Sequence, residues 1–217
     1  MGDLHGCADE FDDLLKAFGH GPGDRVVLVG DLVAKGPDSA GVLARARELG
    51  ALSVRGNHDH ALLRLHHASG SGEPAPRVKQ THLDAAAALA AADWEYLEAM
   101  PLHLSLPELG ALVVHGGLVP GVPLAEQLEQ DLMSMRALTP AGRGSRHHRD
   151  GRLWATCWRG PEHVYFGHDA IVGLQSHTWA TGLDTGCVYG RRLTGCVLPE
   201  GRLLSVPARR RYAEAGS

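Results

Sequence analysis

The chain has 217 residues, a length that suits one compact α/β domain, and we expect a single domain over residues 1–217. Apolar residues make up 44% and charged residues 21%, which is ordinary for a soluble globular protein. The net charge of −4 excludes a global basic field that would capture nucleic acid, so we expect no DNA partner.

The cysteine pattern and the lack of long apolar runs bear on the compartment. Four cysteines form neither a CxxC pair nor a dense framework, which favours reduced thiols. No apolar run approaches the roughly 20 residues that a membrane-spanning helix needs, and the N-terminus lacks a signal-peptide pattern. We therefore expect a cytoplasmic protein that does not bind membranes.

Helical and strand patterns alternate in the first half of the chain. Residues 11–18 place apolar side chains at intervals of three and four, which predicts an amphipathic helix. Such alternation argues for a parallel sheet with crossover helices. The elements that follow are a strand at residues 25–29, a helix at 39–49 capped by Asp38 or Ser39, and a strand at 52–54.

The second half begins with a loop and a helical segment. Residues 70–76 predict a flexible loop and Thr81 to Met100 an Ala-rich helix, so that residues of about 70–100 form a helical, cap-like insertion. Residues of about 139–152 predict a mobile loop. The remaining short apolar runs predict strands at residues 109–114, 164–166, 181–183, 192–197 and 203–206.

The first residues look like a loop without its strand. Gly2 to Gly6 has the composition of a turn that follows a strand, yet only Met1 precedes it. This predicts that the first strand of the fold is missing, because of a misassigned start or a trimmed sequence.

Ligand-type side chains follow the predicted strands throughout the chain. Open α/β sheets bind their ligands where the carboxyl ends of strands open into loops. Glycines flank each position, and they permit tight turns and close approach of the backbone to a ligand. Any one position alone would be an ordinary turn residue or hydrogen-bonded histidine, but the combination predicts a binuclear metal site. The candidate ligands are Asp3, His5, Asp31, Asn57, His115 and His168.

The donor types indicate the ions and the reaction. Carboxylate, amide and imidazole ligands suit Mn²⁺, Fe²⁺ or Zn²⁺, with Asp31 as the bridging carboxylate. Two such ions about 3.5–4 Å apart can hold a bridging hydroxide that attacks phosphorus. We expect His58 to protonate the leaving oxygen as general acid. Asp59 could orient His58 or cap a helix, whereas Lys35 and Arg55 can neutralise phosphate charge.

Five motifs in this order are similar to those of a known superfamily. They resemble the calcineurin-like metallophosphoesterases, and within them the phosphoprotein-phosphatase group and its bacterial diadenosine tetraphosphatase branch. The resemblance implies an α/β fold (α+β in four layers), in which helices flank a two-sheet β-sandwich. The motifs are GDLHG (2–6), GDLVAKGPDS (30–39), GNHD (56–59), VHGG (114–117) and GHD (167–169).

One departure bears on the substrate. Serine/threonine protein phosphatases carry an aspartate where this chain has Ala34, and that aspartate normally pairs with the catalytic histidine. Ala34 and Asp59 are more similar to the diadenosine tetraphosphatases. The resemblance therefore implies symmetrical cleavage of diadenosine tetraphosphate to two ADP. Alternatives are a serine/threonine or tyrosine protein phosphatase, a polyphosphatase, an RNA-decapping pyrophosphatase acting on an RNA 5′ end, or a non-catalytic metal-binding scaffold.

The resemblance also divides the ligands between two divalent ions. Mn²⁺ is expected, with Fe²⁺, Zn²⁺ or Co²⁺ as alternatives. His58 remains the acid, and Arg136 lies where members of the family shape the substrate pocket, so it is a further candidate for phosphate binding. The implied ligand sets are Asp3, His5 and Asp31 for one ion, and Asp31, Asn57, His115 and His168 for the other.

Overall fold

The computed structural model describes residues 1–71, 74 and 76–214. No helix within these residues is both long enough and apolar enough to cross a membrane. The helices of the described part are α1 (Ala8–Phe18), α2 (Ser39–Glu48), α3 (Asn57–Ser71), α4 (Gln80–Ala88), α5 (Ala91–Ala99) and α6 (Glu129–Ser134). The strands are β1 (Val27–Leu28), β2 (Leu52–Ser53), β3 (His103–Leu106), β4 (Ala111–Val114), β5 (Ala137–Leu138), β6 (Gly144–Ser145), β7 (Arg152–Leu153), β8 (His163–Phe166), β9 (Gln175–His177), β10 (Ala180–Gly182), β11 (Arg192–Val197) and β12 (Arg202–Pro207).

The first two helices form as their sequences predict. α1 buries Phe11 and Leu14 and ends at Gly19, whose φ of 72° is the left-handed conformation that glycine adopts without strain. Asp38 is the N-cap of α2, and its carboxylate accepts a hydrogen bond of 2.7 Å from the amide of Gly41. This bond satisfies one of the free amides of the first helical turn.

Two sheets pack face to face. One has the strand order β3-β4-β8-β10-β9, in which β4, β8 and β10 are parallel and both edge strands are antiparallel. The other contains the parallel pair β1–β2 and the hairpin β11–β12. A buried cluster from both sheets lies between them, which confirms the predicted sandwich. Its members are Val29, Val54, Leu106, Ala111, Val113 and Leu183.

Met1 and Gly2 connect the two strand pairs of the second sheet. The Met1 nitrogen donates to the Val27 carbonyl at 2.7 Å, and the Met1 carbonyl accepts from the Val29 amide at 3.1 Å. On the other side, the Gly2 amide donates to the Thr194 carbonyl at 2.8 Å. These two residues therefore occupy a strand position between β1 and β11. The expected missing strand stays a prediction.

The outer layers are built from helices and loops. Apolar side chains of α1, α2 and α3 share one buried cluster with Leu28 of β1. On the opposite side, Leu132 of α6 and Trp154 pack against β4, β8 and β10. The molecule thus has the four layers that the family resemblance implies.

The structure corrects the predicted helix from Thr81 to Met100. The chain is extended at Leu89 (ψ 135°) and Ala90 (ψ 168°), which separates α4 from α5. The Asp93 carboxylate accepts from the Ala90 amide at 2.9 Å and so favours a new helix start at this point. Two short helices therefore replace the single predicted one, and the cap-like insertion stays a prediction.

The structure describes the two segments predicted as loops to different extents. Of the loop expected at 70–76, residues 72, 73 and 75 lie outside the described residues, and α3 extends to Ser71. Residues 139–152 contain β6 and the start of β7, which flank β5 in a small antiparallel sheet. The mobility of that segment stays a prediction.

Candidate metal centre

Backbone conformation marks the loops that carry the candidate ligands. Non-glycine residues with positive φ are uncommon, and left-handed backbone costs about 1–2 kcal/mol per residue. Strain of this kind persists where the surrounding structure enforces it, and it concentrates at functional sites. Four of the five such residues in the described chain are predicted site residues. The five are His5 (45°), Asp31 (53°), Ala34 (67°), Lys35 (65°) and His168 (69°).

Two glycines allow these loops to approach one another. A Cβ atom at Gly56 would overlap the Asp31 carboxylate, and one at Gly167 would overlap an oxygen of Asp3. Both glycines precede or follow ligand-type residues in the motifs, so they are required sterically rather than for flexibility.

The first cluster joins three of the predicted residues. Ligand atoms of His5, Asp31 and His58 lie within 4.8 Å of one another. His5 Nδ1 is 3.1 Å from the Val33 carbonyl oxygen, which orients the ring so that Nε2 lies 3.5 Å from Asp31 Oδ2. Lys35 Nζ lies 3.0 Å from the same His5 nitrogen. The cluster thus combines imidazole and carboxylate groups that can bind a metal, and it lies beside the side-chain nitrogen of Lys35.

The second cluster shares Asp31 with the first. Ligand atoms of Asp31, His115 and His168 again lie within 4.8 Å of one another. His115 Nδ1 is 2.7 Å from the Val29 carbonyl oxygen, and its Nε2 is 3.3 Å from both Asp31 Oδ2 and Asn57 Oδ1. Asp31 therefore has the central place that a bridging carboxylate requires.

Asp3 and His168 provide a test of whether this donor set fits metal ions. The Asp3 carboxylate accepts from the His168 amide at 3.1 Å, which holds the two loops together. His168 Nε2 is buried and has no hydrogen-bond partner among the described residues. A buried polar atom without a partner is costly, and a nitrogen beside carboxylates and imidazoles is suited to a cation. The residues present fit divalent metal ions.

The electrostatics of the cluster also favour bound positive charge. Burial raises the pKa of Asp3 well above its usual value, and the nearby Asp184 raises it further. Burial lowers the pKa of His5 and His168 well below their usual value, so both rings are neutral, the form that binds metals. Burial alone would lower the pKa of His115 too, but the Asp31 and Asp3 carboxylates raise it to about 10.

The structure corrects the role of Asp59. Its Oδ2 accepts from the amides of Asp31 (2.8 Å) and Gly56 (2.9 Å), and its Oδ1 accepts from the amide of Leu32 (2.9 Å). The carboxylate therefore ties two ligand loops together and reaches back to the start of α3, as the capping alternative predicted. Asp59 does not orient the His58 ring, because that ring pairs with His82, which sequence reasoning missed.

Basic side chains surround the cavity beside the clusters. The cavity has a volume of about 260 Å³, and its wall includes every candidate ligand except His115, together with four cationic residues. Arg136 donates to the His168 carbonyl at 3.2 Å, so it adjoins a ligand loop, and its contact with phosphate stays a prediction. Lys79 and Arg191 were missed, because their contribution depends on how α4 and β11 are placed. The cationic residues are Lys35, Lys79, Arg136 and Arg191.

Arg55 does not line this cavity. Its guanidinium donates to the Glu98 carbonyl at 2.8 Å, and its amide donates to the Pro101 carbonyl at the same distance. The side chain is thus engaged with the end of α5, and a contact with phosphate would require it to leave Glu98. Arg55 is therefore not placed to bind a phosphate in this cavity.

Comparison with known proteins identifies the family. The family of calcineurin-like phosphoesterases matches residues 1–178 of the chain. The chain belongs to this family. This phosphoesterase is accordingly a metal-dependent hydrolase of phosphoric esters or anhydrides.

The alignments with relatives named for an activity cover nearly the whole phosphoesterase. The symmetrical bis(5′-nucleosyl)-tetraphosphatase of Aromatoleum aromaticum is 30% identical, over 96% of this chain and 96% of its own. The asymmetrical bis(5′-nucleosyl)-tetraphosphatase of Bacillus subtilis is 28% identical, over 99% of this chain and 96% of its own. A solved structure of a candidate diadenosine tetraphosphatase has a TM-score of 0.85 and 40% identity, and the match covers 95% of this chain and 91% of that one.

Proposed function

We propose that this phosphoesterase hydrolyses dinucleoside polyphosphates and cleaves diadenosine tetraphosphate symmetrically to two ADP. The observation that carries the proposal is the group of cationic side chains along one cavity beside the ligand clusters. A tetraphosphate chain carries several negative charges in a row, which a phosphomonoester does not. Lys35, Lys79, Arg136 and Arg191 offer it an extended series of charged hydrogen-bond donors.

The names of the relatives support the same substrate class. The protein from Aromatoleum aromaticum is named for symmetrical cleavage and the one from Bacillus subtilis for asymmetrical cleavage of bis(5′-nucleosyl) tetraphosphates. The substrate class is therefore common to both, whereas the position of cleavage differs between them. Our choice of symmetrical cleavage is the part that product analysis has to test.

Two divalent ions, which we propose to be Mn²⁺, would be held by the clustered ligands. When bound, they would supply an activated water as nucleophile and neutralise charge on the phosphoryl group. His58 would protonate the leaving oxygen. Lys35 and Arg136 would contribute positive charge beside the phosphates. The proposed ligands are Asp3, His5 and Asp31 for one ion and Asp31, Asn57, His115 and His168 for the other.

We also propose a cytoplasmic location. All four cysteines are free, and Cys7 and Cys187 are buried within the fold. Reduced thiols are the usual state in the cytoplasm, and dinucleoside polyphosphates are charged molecules that the same compartment holds in solution.

A competition among substrates tests the proposal. The Mn²⁺-loaded enzyme is incubated side by side with diadenosine tetraphosphate, inorganic polyphosphate, capped RNA and a phosphopeptide, and kcat/KM is compared. We expect the dinucleotide to give the highest value and ADP to be its only nucleotide product. ATP with AMP would contradict symmetrical cleavage. A higher kcat/KM for any other substrate would overturn the substrate class while leaving the hydrolase assignment intact.

A further inference from the structure

The ring of His58 meets the edge of a second histidine. His82 belongs to α4, and its Nε2 lies 3.0 Å from His58 Nδ1. The two rings are 14° from parallel, yet their centres are 5.0 Å apart, so the two nitrogens are closer together than the ring centres. The rings therefore meet edge to edge, as in an N–H···N hydrogen bond, and do not lie face to face.

The His82 side chain is buried where it makes this contact. The residue is only 5% exposed, and its Nδ1 has no partner among the described residues. An imidazole is costly to bury, and among the described residues His58 is the hydrogen-bond partner that offsets this cost. An apolar residue at this position of α4 would pack without that penalty, so the ring points to a role beyond packing.

Other groups near His58 do not hold its Nδ1 edge. His5 approaches the His58 ring at 88° with the ring centres 4.9 Å apart, which is a contact of edge against face. Asp31 accepts from the His58 backbone amide at 2.9 Å. Both oxygens of Asp59 accept from backbone amides. His82 is the remaining candidate for fixing the ring.

We propose that His82 is the positioning residue of the general acid, in that its Nε2 accepts a hydrogen bond from the Nδ1–H of His58 and so fixes the orientation and tautomer of that ring. In the acid form both ring nitrogens of His58 carry a proton, and the Nε2 proton passes to the leaving oxygen, which leaves the neutral ring protonated at Nδ1. The proposal rests on the general-acid role proposed for His58, but it applies to any phosphate ester or anhydride. In a metal site, partners that orient a functional histidine typically matter by roughly 10–100-fold in rate.

Two amide variants separate the hydrogen bond from mere packing. In His82→Gln the side-chain amide can reach the place of Nε2, whereas in His82→Asn it ends near the place of Nδ1. We expect His82→Asn to lower kcat for phenyl phosphate by roughly 10–100-fold and for p-nitrophenyl phosphate by only about 3-fold. The difference arises because phenolate needs protonation more than nitrophenolate does. His82→Gln should recover most of the loss, and KM should change little in either variant.

A control on the same helix accounts for damage to α4. Ala85 is buried on α4, and Ala85→Gly should lower the helix stability without a different effect on the two esters. If His82→Asn slows both esters equally, or if His82→Gln is as impaired as His82→Asn, the positioning role is wrong.

A spectroscopic measurement needs no turnover. Heteronuclear NMR of the histidine rings in the Zn²⁺-loaded protein reports the tautomer of His58, whose signals are assigned by their loss in His58→Gln. We expect one tautomer, protonated at Nδ1, in the wild type and in His82→Gln, and a mixture in His82→Asn. A mixture in the wild type would overturn the proposal even if the substrate assignment is correct. A single tautomer in an enzyme that fails on dinucleotides would overturn only the substrate.

Discussion

At the scale of single residues, Asp31 has the most contacts with other parts of the site. Its Oδ2 lies 3.5 Å from His5 Nε2 and 3.3 Å from His115 Nε2, and its Oδ1 accepts from the His58 amide. The residue is 2% exposed and has positive φ. Both proposed ligand sets include the Asp31 carboxylate, so it is the residue whose charge the two ions would share.

Asp31→Asn should therefore remove the metals and abolish hydrolysis. The amide has nearly the same shape, but it lacks the negative charge that two cations would share. Metal content by mass spectrometry and hydrolysis of p-nitrophenyl phosphate measure the two effects. Asp24→Asn is the matched control, because Asp24 is exposed and its side chain accepts from the nearby Gly21 amide, away from the ligand clusters. Retained metal in Asp31→Asn would count against the bridging role.

His58→Asn should have the opposite profile. We expect the metals to stay bound, because the proposed ligand sets do not include His58. The rate for phenyl phosphate should fall by roughly 10²–10⁴-fold through loss of the general acid, and the rate for p-nitrophenyl phosphate should fall less, because nitrophenolate leaves more readily without a proton. Metal content and kcat on p-nitrophenyl phosphate and phenyl phosphate are measured together, and a loss of metal would move His58 into the ligand set.

At the scale of elements, α5 is held in place by a few polar contacts. Asp93 of α5 accepts from the Ala90 amide at 2.9 Å and pairs with Arg47 of α2 at 2.9 Å. The carboxylate is 3% exposed, so it both starts α5 and fastens it to α2. Because α4 directly precedes this point, Asp93 also influences where His82 lies.

Asp93→Ala should destabilise the protein by about 1–3 kcal/mol, since it removes a helix-capping bond and leaves Arg47 without its partner. The midpoint of urea unfolding measures the change. Asp84→Ala on α4 is the control, because Asp84 is exposed and its bond is to Gln80 in the same helix. Equal midpoints for the two variants would show that the Asp93 contacts are not important for stability.

The elements also show how far sequence reasoning extends. β11 has the predicted bounds, because its apolar run is followed by Pro199 and Gly201, which are typical of a turn. The break between α4 and α5 was missed, because no glycine or proline lies at or beside Leu89 and Ala90 to indicate it. The strands β5, β6 and β7 have two residues each and are too short for a period to be visible.

The site was partly predictable for a related reason. The candidate ligands Asp31 and His115 come within three residues of the ends of β1 and β4, so their order along the chain reveals them. His82, Lys79 and Arg191 reach the site from α4 and the start of β11, and no local pattern indicates which way these elements face. The sequence left two roles open for Asp59, because its partners are backbone amides, which the sequence does not mark.

At the scale of the whole molecule, the ligands come from distant parts of the chain. Asp3 and His168 are hydrogen-bonded across a separation of 165 residues. The unfolded chain cannot assemble such a set, so binding of metal would favour the folded state alone. The stability of the fold and the occupancy of the site are therefore coupled.

Metal should accordingly raise the melting temperature. At a free Mn²⁺ concentration about 100 times Kd the expected gain is about 2.7 kcal/mol, which corresponds to about 5–10 °C for a chain of this size. Calorimetry with added Mn²⁺, compared with the chelated protein, measures the shift. Asp31→Asn should show almost none, and an equal shift in that variant would mean that the ions bind elsewhere.

The left-handed residues of the ligand loops have a consequence for the evolution of this protein. At Ala34, with φ of 67°, glycine would relieve strain, and the same holds for neighbouring Lys35. A laboratory selection for heat resistance alone would therefore favour glycine at such positions, whereas a selection for turnover would oppose it where a side chain serves the site. Lys35, whose amine lies 3.0 Å from His5 Nε2, is where the two selections would diverge, whereas Ala34, whose side chain has no polar group, would accept glycine under both.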